Sequence, residues 1–176
     1  LDQTSRDYGV KTTVHIKVDT GMGRIGLAPD QVVEFARRVT SSPNLILGGV
    51  YSHFSCADER NKDFSHGQLE RFQGALSALE VAGISIPLRH MANSAGVLDI
   101  PDAHFDMVRP GIMIYGLYPS AEVSHSVLLR PAMRFVTRIC QVKTVDAGTP
   151  IGYGATYVTD RKSTVATVPV GYADGY

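Results

Sequence analysis

Hydrophobic and polar residues alternate along this chain in patterns that predict strands and helices following one another. Residues Thr12–Asp19 alternate and are rich in β-branched side chains, which predicts a strand. A helix over Asp30–Ser41 is predicted next, with Pro29 in its first turn and apolar residues at spacings of three and four. The remaining predicted elements are strands Leu45–Phe54, Leu88–Ser94 and Phe105–Gly116 and helices at about His66–Ala82 and Ala95–Leu98. This alternation is typical of parallel strands joined by helical crossovers.

Polar side chains gather just beyond the ends of the predicted strands. They are Asp19, Arg24, His53, Asn93, Ser94 and Arg109. Barrel enzymes keep their active sites at the carboxyl ends of their strands, so this clustering favours a β/α barrel over a doubly wound sheet. A complete barrel needs about 250 residues, and four barrel strands are predicted here. We therefore expect part of a barrel, within an internal fragment of a longer protein.

The last third of the chain has a different pattern. From about Val127 it is β-branched and rich in turn residues, with strands predicted over Met133–Val145 and Ser163–Val170 and an ordered loop over Gly152–Tyr157. The predicted fold class is α/β, a partial (β/α)8 TIM-like barrel followed by the start of a mostly-β C-terminal domain. The predicted domains are 1–124, which would bind the cofactor, and 125–176.

Composition narrows the class of protein without naming a function. Of 176 residues, 44% are hydrophobic and 19% charged, as in globular proteins. Seventeen basic and seventeen acidic residues cancel, so charge predicts neither a nucleic acid nor a membrane surface as partner. No apolar run reaches the roughly 18 residues of a membrane span. Cys56 and Cys140 lack metal-ligand spacing, so we expect free thiols in a reducing compartment and no metal site.

The stretch "KVDTGMGRIG" (residues 17–26) matches the glycine fingerprint of dinucleotide-binding proteins. That fingerprint also requires an acid about 20 residues later for the ribose hydroxyl. No Asp or Glu occurs between Glu34 and Asp58. The dinucleotide interpretation is therefore rejected, and Lys17, Asp19 and Arg24 need another explanation.

Six stretches together identify the family that the chain resembles. They are "HIKVDTGMGRIGL", "GVYSHFSCADE", "HMANSAG", "VRPGIMIYGLYP", "IGYGATY" and "VPVGYADG". In this order and spacing they resemble alanine racemase, a pyridoxal 5'-phosphate enzyme with an N-terminal barrel and a C-terminal β domain. The resemblance implies interconversion of L- and D-alanine for peptidoglycan synthesis in the cytoplasm. It also implies a homodimer with sites shared between subunits, and no nucleic-acid or membrane partner.

Racemisation removes the α-proton from one face of the substrate and returns it on the other, which requires two bases. The resemblance implies that one base is the lysine that carries the cofactor and the other a tyrosine from the partner subunit, which matches Tyr153. The lysine motif has no counterpart in residues 1–176, so we expect these residues alone to be inactive. A half-buried loop tyrosine is the alternative for Tyr153.

Arg109 and His53 form the next pair of implied site residues. Arg109 matches the arginine that faces the pyridine nitrogen, where a guanidinium donates a hydrogen bond without giving up its proton. His53 is implied to lie over the cofactor ring and to link Arg109 to the tyrosine. A surface ion pair for Arg109 and a structural role for His53 are the alternatives.

Two residues of the glycine-rich stretch are implied to act near the substrate. Arg24 matches an arginine that contacts the cofactor's phenolic oxygen and lies near the substrate carboxylate. The glycines of this stretch are expected to turn the chain sharply and so place the Arg24 side chain. Lys17 matches a lysine that is often carbamylated, and the carbamate would hold Arg24. An ordinary lysine with a buried stem is an equal alternative.

The remaining implied residues bind the cofactor's phosphate or line the entrance. Asn93, Ser94, Gly111 and Ile112 resemble a phosphate cup of hydroxyl and backbone amide donors. Ser94 is alternatively, or also, the N-cap of the next short helix. Tyr172 is implied to line the substrate entrance from the partner subunit, or else is a turn aromatic.

Two alternative functions stay open. A serine or broad-specificity amino-acid racemase shares these motifs. A non-catalytic pyridoxal-phosphate-binding barrel protein shares the barrel, although it does not need the β domain that carries "GYGATY". A decarboxylase of this fold is disfavoured, because we expect an acid and not Arg109 opposite its ring nitrogen.

Overall fold

The computed structural model describes residues 1–175. These residues form two compact units, Leu1–Ala132 and a second unit that begins at Met133. The prediction of domains 1–124 and 125–176 stays a prediction. Among residues 1–175, none of the helices combines the length and the apolar composition that a membrane crossing requires.

The first unit is built on a three-stranded parallel sheet with the order β1-β2-β3. Its elements are α1 (Asp2–Asp7), β1 (Thr12–Lys17), α2 (Val32–Ser41), β2 (Leu45–Tyr51), α3 (Asp63–Val81), β3 (Arg89–His90) and α4 (Ser94–Asp99). A 3-10 turn, Pro29–Gln31, precedes α2. Parallel strands with helical crossovers are the arrangement that the alternation predicts.

The core of this unit lies where α2 and α3 cover the sheet. Val32, Ala36 and Val39 recur at helical spacing and form the buried face of α2. On α3 the buried apolar side chains are Leu69, Phe72, Ala75 and Leu79. They pack in one cluster with Val50 of β2 and with Val18, the residue after β1. This packing holds the carboxyl ends of β1 and β2 side by side.

The fourth predicted barrel strand, Phe105–Gly116, does not form. Its only strand-like contact in the described chain is a single bridge between Met107 and His90. Pro110 has no amide hydrogen to donate, so a ladder cannot continue through it. Residues Ile112–Tyr115 form a 3-10 turn instead. The segment still runs beside β3, because the Arg109 amide donates to the Ala92 carbonyl at 2.9 Å.

The second unit contains two small antiparallel pairs. Strand β4 (Gln141–Val145) pairs with β7 (Ser163–Thr167), and β5 (Pro150–Ile151) pairs with β6 (Tyr157–Val158). The predicted strand over Met133–Val145 is therefore too long at its start. Thr159 is buried, and its hydroxyl donates to the Asp146 carbonyl at 2.7 Å and accepts from the Thr149 amide at 3.0 Å. This side chain closes the turn that precedes β5.

Candidate functional site

Arg109 lies at the centre of a polar cluster at the carboxyl end of the sheet. Its guanidinium donates to the Ser52 carbonyl at 2.7 Å, to Nδ1 of His53 at 3.1 Å and to Nδ1 of His90. The surface ion pair considered for Arg109 is not formed, because no carboxylate pairs with it among residues 1–175. Burial lowers the pKa of Arg109 from its usual value. Neutral groups therefore hold both Nη2 hydrogens and one Nη1 hydrogen of this cation, while its other N–H donors have no partner among residues 1–175.

His90, Tyr51 and His15 extend this cluster, and the sequence did not single them out. The rings of Tyr51 and His90 stack at 5.0 Å with an angle of 5°. The Arg109 guanidinium lies 5.2 Å above the Tyr51 ring centre. His90 also shares a 2.8 Å hydrogen bond with His15. Alternation along a strand predicts on which face of the sheet each of these side chains lies. Only the register between the strands shows that the three side chains contact one another.

His53 follows β2 and is half-buried between Arg109 and the solvent. Since a guanidinium has donors only, the Arg109 contact makes Nδ1 of His53 an acceptor and places the ring proton on Nε2. Burial, and then the positive charge of Arg109, lower the pKa of His53. His53 is therefore a neutral ring at neutral pH.

A pocket of about 320 Å³ opens beside this cluster. It is lined by His53, Asp58, Asn93, Ser94, Ala95, Arg109, Gly111, Ile112 and Pro119. These include every residue predicted to bind the cofactor except Arg24. Asp58 also lines the pocket and lies before α3, which begins only at Asp63.

The Ser94 hydroxyl gathers backbone amides on one side of this pocket. Its oxygen accepts from the Gly111 amide at 2.8 Å and from the Met113 amide at 3.4 Å. Both bonds are accepted, so the hydroxyl proton is available to an anionic oxygen in the pocket. A Cβ added to Gly111 would meet only the Ser94 oxygen, at 3.9 Å. The pocket is therefore open beside Gly111.

The N-cap of α4 is Asn93 and not Ser94. The Asn93 side-chain oxygen accepts from the Gly96 amide at 3.0 Å, as helix caps do. The alternative interpretation of Ser94 as the cap was therefore wrong. Capping by Asn93 leaves the Ser94 hydroxyl to the Gly111 turn.

The glycine-rich loop folds around a carboxylate of its own chain. The backbone amides of Gly21, Met22 and Gly23 donate to the Asp19 carboxylate at 2.9 to 3.1 Å. The bonds from Gly21 and Gly23 lower the pKa of Asp19. The amides that a pyrophosphate would need are thus already occupied, which explains why the fingerprint is misleading here.

The same loop is pinned at its base. The Asp19 amide donates to the Leu27 carbonyl at 2.8 Å, and the Leu27 amide donates to the Lys17 carbonyl at 2.9 Å. Gly26 has φ +123°, and a Cβ there would lie 2.9 Å from the Asp19 nitrogen, so only glycine fits. Arg24 is exposed on this loop, and its charge acts on Lys17 and His53. The loop therefore presents Arg24 to the site without placing it in the pocket.

Lys17 is buried at the end of β1. Burial, and then the charge of Arg24, lower its pKa from the usual value. No carboxylate forms an ion pair with it within the described part of the chain. A larger fraction of such a lysine is neutral than of an exposed lysine, and the neutral amine is the form that reacts with carbon dioxide.

Tyr153 and Tyr172 belong to the second unit. Tyr153 opens the 3-10 turn Tyr153–Ala155 and Tyr172 opens Tyr172–Asp174. Both side chains are almost entirely exposed. The alternative of a half-buried loop tyrosine at 153 is therefore wrong, and its hydroxyl faces solvent in this unit.

Two family models match the chain. One, described as "Alanine racemase, N-terminal domain", matches residues 1–119. The other, "Alanine racemase, C-terminal domain", matches residues 132–176. Together they cover both units.

Curated relatives and solved structures agree with these matches. The alanine racemases of Syntrophobacter fumaroxidans and Halothermothrix orenii are 49% and 48% identical over 176 residues, 100% of this chain, which correspond to 47% and 46% of their lengths. The solved alanine racemase of Streptomyces coelicolor A3(2) superposes with TM-score 0.86 at 39% identity, over 99% of this chain and 47% of that one. For that of Clostridium difficile 630 the TM-score is 0.84 at 39% identity, over 99% and 46%. The chain thus spans about half the length of the proteins it matches.

Proposed function

The chain belongs to the alanine racemase family, and from this premise we propose that the protein interconverts L- and D-alanine with bound pyridoxal 5'-phosphate. The observation that carries the proposal is the environment of Arg109. This residue is a half-buried cation whose donors meet carbonyl and imidazole acceptors, with no acid opposite it in the described chain. Such a cation could donate a hydrogen bond to the pyridine nitrogen of the cofactor and leave that nitrogen unprotonated.

The pocket beside Arg109 fits the proposed cofactor. The Ser94 hydroxyl, with its free proton, and the turn at Gly111 and Ile112 form the phosphate side of the pocket, a donor set suited to an anion. Arg109 and His53 form the ring side. We assign Ser94, Asn93, Gly111 and Ile112 to the phosphate and Arg109 and His53 to the ring.

Pyridoxal phosphate supplies an electron sink that makes the substrate α-proton removable. Arg109 would donate a hydrogen bond to the ring nitrogen of the bound cofactor without transferring a proton to it, because a guanidinium stays charged at ordinary pH. An unprotonated ring would be a weaker electron sink, and this would favour return of the proton to the α-carbon. Arg24, exposed on its pinned loop, would contact the cofactor's phenolic oxygen and lie near the substrate carboxylate.

Tyr153 is the proposed base for one face of the substrate. A phenol has an ordinary pKa of about 10 and is therefore protonated near neutral pH. Cationic or hydrogen-bonding neighbours have to lower this pKa before the tyrosine can act as a base. The Arg109–His53 pair has the charge that this requires, and the Nε2–H of His53 has no acceptor among residues 1–175. We propose that a partner subunit contributes Tyr153, together with Tyr172 at the entrance, so that the protein works as a homodimer.

The proposed role is the supply of D-alanine for peptidoglycan from free L-alanine in the cytoplasm. The decisive experiment follows racemisation by the purified full-length protein with pyridoxal phosphate, starting from each enantiomer of alanine and of serine. We expect conversion of alanine in both directions and a lower kcat/KM for serine. Equal turnover of serine would support a broad-specificity racemase, and cofactor binding without racemisation would support a non-catalytic binder.

A further inference from the structure

Gln68 is a fully buried polar residue in the second turn of α3. It lies on the helix face that otherwise buries mostly apolar side chains, among them Phe72, Ala75 and Leu79. An amide buried without hydrogen-bond partners destabilises the fold, so a core glutamine at such a position has to be fully hydrogen-bonded.

The Gln68 amide meets this requirement with contacts to the two loops that follow β1 and β2. Its Nε2 donates to the His53 carbonyl at 3.1 Å and to the Thr20 hydroxyl at 3.4 Å. Its Oε1 accepts from the amide and the hydroxyl of Ser55, both at 3.1 Å. Two donors and two acceptor positions are thus all in use.

The contact to Thr20 continues as a directed chain of hydroxyl groups. The Ser52 hydroxyl donates to the Val18 carbonyl at 2.8 Å. Its oxygen must then accept from the Thr20 hydroxyl, 2.7 Å away, and Thr20 in turn accepts from Gln68. Arg71, one turn further along α3, donates to the Thr20 carbonyl at 2.7 Å. The helix is therefore tied to the ends of both strands.

These contacts hold His53 at two points. Its carbonyl is fixed by Gln68, and its ring accepts from Arg109 through Nδ1 at 3.1 Å. Arg109 also donates to the carbonyl of Ser52, the residue before His53. A shift of the loop after β2 would consequently change the distance between the imidazole and the guanidinium.

We propose that Gln68 is a positioning residue that locks the His53 loop onto the Thr20 loop and so sets the His53–Arg109 contact. The expected effect of Gln68 on turnover rests on the proposed function. The His53–Arg109 contact itself exists without cofactor or substrate. Displacing a catalytic group by about 1 Å can cost about a hundredfold in rate. A buried glutamine far from the substrate can therefore control turnover without touching it.

The test replaces Gln68 by methionine, which fills nearly the same volume and forms none of these hydrogen bonds, in the full-length protein. We expect kcat for alanine to fall by about ten- to a hundredfold while KM changes by less than about threefold, because transition-state alignment and not substrate binding is lost. The pKa of His53, followed by NMR in the protein without substrate, should rise towards the ordinary histidine value, because a displaced ring loses burial and the nearby charge of Arg109.

Two variants on the same helix serve as controls. Gln73→Met makes the same exchange on the exposed face and should leave kcat and the His53 titration unchanged. Leu79→Ala removes buried apolar volume three turns away and should lower the melting temperature with wild-type kcat below the transition.

The proposal is overturned if Gln68→Met keeps wild-type kcat, if kcat falls without a change in the His53 titration, or if Leu79→Ala loses kcat to the same extent. A wild-type protein that does not racemise alanine would refute the proposed function alone. The His53 titration of Gln68→Met would still decide whether Gln68 positions that loop.

Discussion

The Arg109 guanidinium donates to Nδ1 of His90, and this contact determines which nitrogen of that imidazole carries the proton. Arginine has donors only, so Nδ1 of His90 has to be unprotonated. The proton then lies on Nε2 and is donated to Nδ1 of His15 at 2.8 Å. His90 therefore orients Arg109 only as a neutral ring, with Tyr51 stacked on its face.

Replacing His90 tests whether this acceptor orients Arg109. His90→Leu removes the acceptor, and we expect kcat for alanine to fall by about tenfold or more. His90→Asn retains an oxygen close to the Nδ1 position and should recover part of the loss. Steady-state kinetics of the two variants check this. Equal activity of His90→Leu and wild type would show that Arg109 does not need the acceptor.

The buried state of His90 should make stability depend on pH. Burial, then the charges of Arg109 and His15, lower the pKa of His90 to about 4. The unfolded chain, with an ordinary pKa of about 6.5, binds the proton more readily. The contribution of neutral His90 to the free energy of unfolding is therefore complete above pH 6.5. As the pH falls towards 4, the free energy of unfolding decreases by about 1–2 kcal/mol.

Urea unfolding at several pH values checks this expectation, with His90→Asn as the variant that lacks the titrating group. The variant should show a smaller loss between pH 6.5 and 4. Hydrogen bonds from Arg89 lower the pKa of Asp106 to about 2. Protonation of Asp106 therefore affects the free energy of unfolding only in more acid solution. An identical pH dependence of wild type and variant would contradict the prediction.

Tyr153→Phe removes the proposed base and should keep the fold. Its side chain is exposed in the second unit, so the loss of one hydroxyl should not change the melting temperature. General base catalysis contributes about 10²–10⁴-fold, and racemisation should fall within this range in both directions. Tyr157→Phe, an exposed neighbour, is the matched control. Normal turnover of Tyr153→Phe in both directions would refute the two-base proposal.

Lys17 should react with carbon dioxide. Its lowered pKa leaves more of the amine neutral, and the amine adds to carbon dioxide to give a carbamate and a proton. Native mass spectrometry in bicarbonate should show one added carbon dioxide that is absent from Lys17→Ala. The adduct should persist in Lys11→Ala, which changes an exposed lysine. No adduct at any bicarbonate concentration would favour an ordinary buried lysine.

Asp19→Ala should loosen the loop that presents Arg24. It leaves the amides of residues 21–23 without their common acceptor, and we expect a loss of about 1–3 kcal/mol in unfolding free energy. The value of kcat/KM for alanine should fall as Arg24 loses its fixed position. Urea unfolding and kinetics measure both effects. Asp30→Ala, an exposed acid, should change stability by less than about 0.5 kcal/mol, and an equal effect of both variants would contradict the role of Asp19.

The order and type of the main elements could be predicted because they depend on local patterns. The buried faces of α2 and α3 follow spacings of three and four residues, and β1 and β2 follow β-branched alternation. Element ends were less predictable. Phe105–Gly116 looks like a strand in composition, but a strand also needs a neighbour whose donors and acceptors match, and Pro110 interrupts that match.

The sequence by itself determined the family and the identity of the polar residues at the strand ends, because motif spacing and side-chain type are properties of the chain. Only the tertiary structure decided how those residues are used. Asp19 occupies the loop amides, His90 and Tyr51 surround Arg109, and Gln68 joins two loops. Each of these contacts except the first joins residues far apart in sequence, and strand register and helix packing, which no local pattern encodes, bring them within hydrogen-bonding distance.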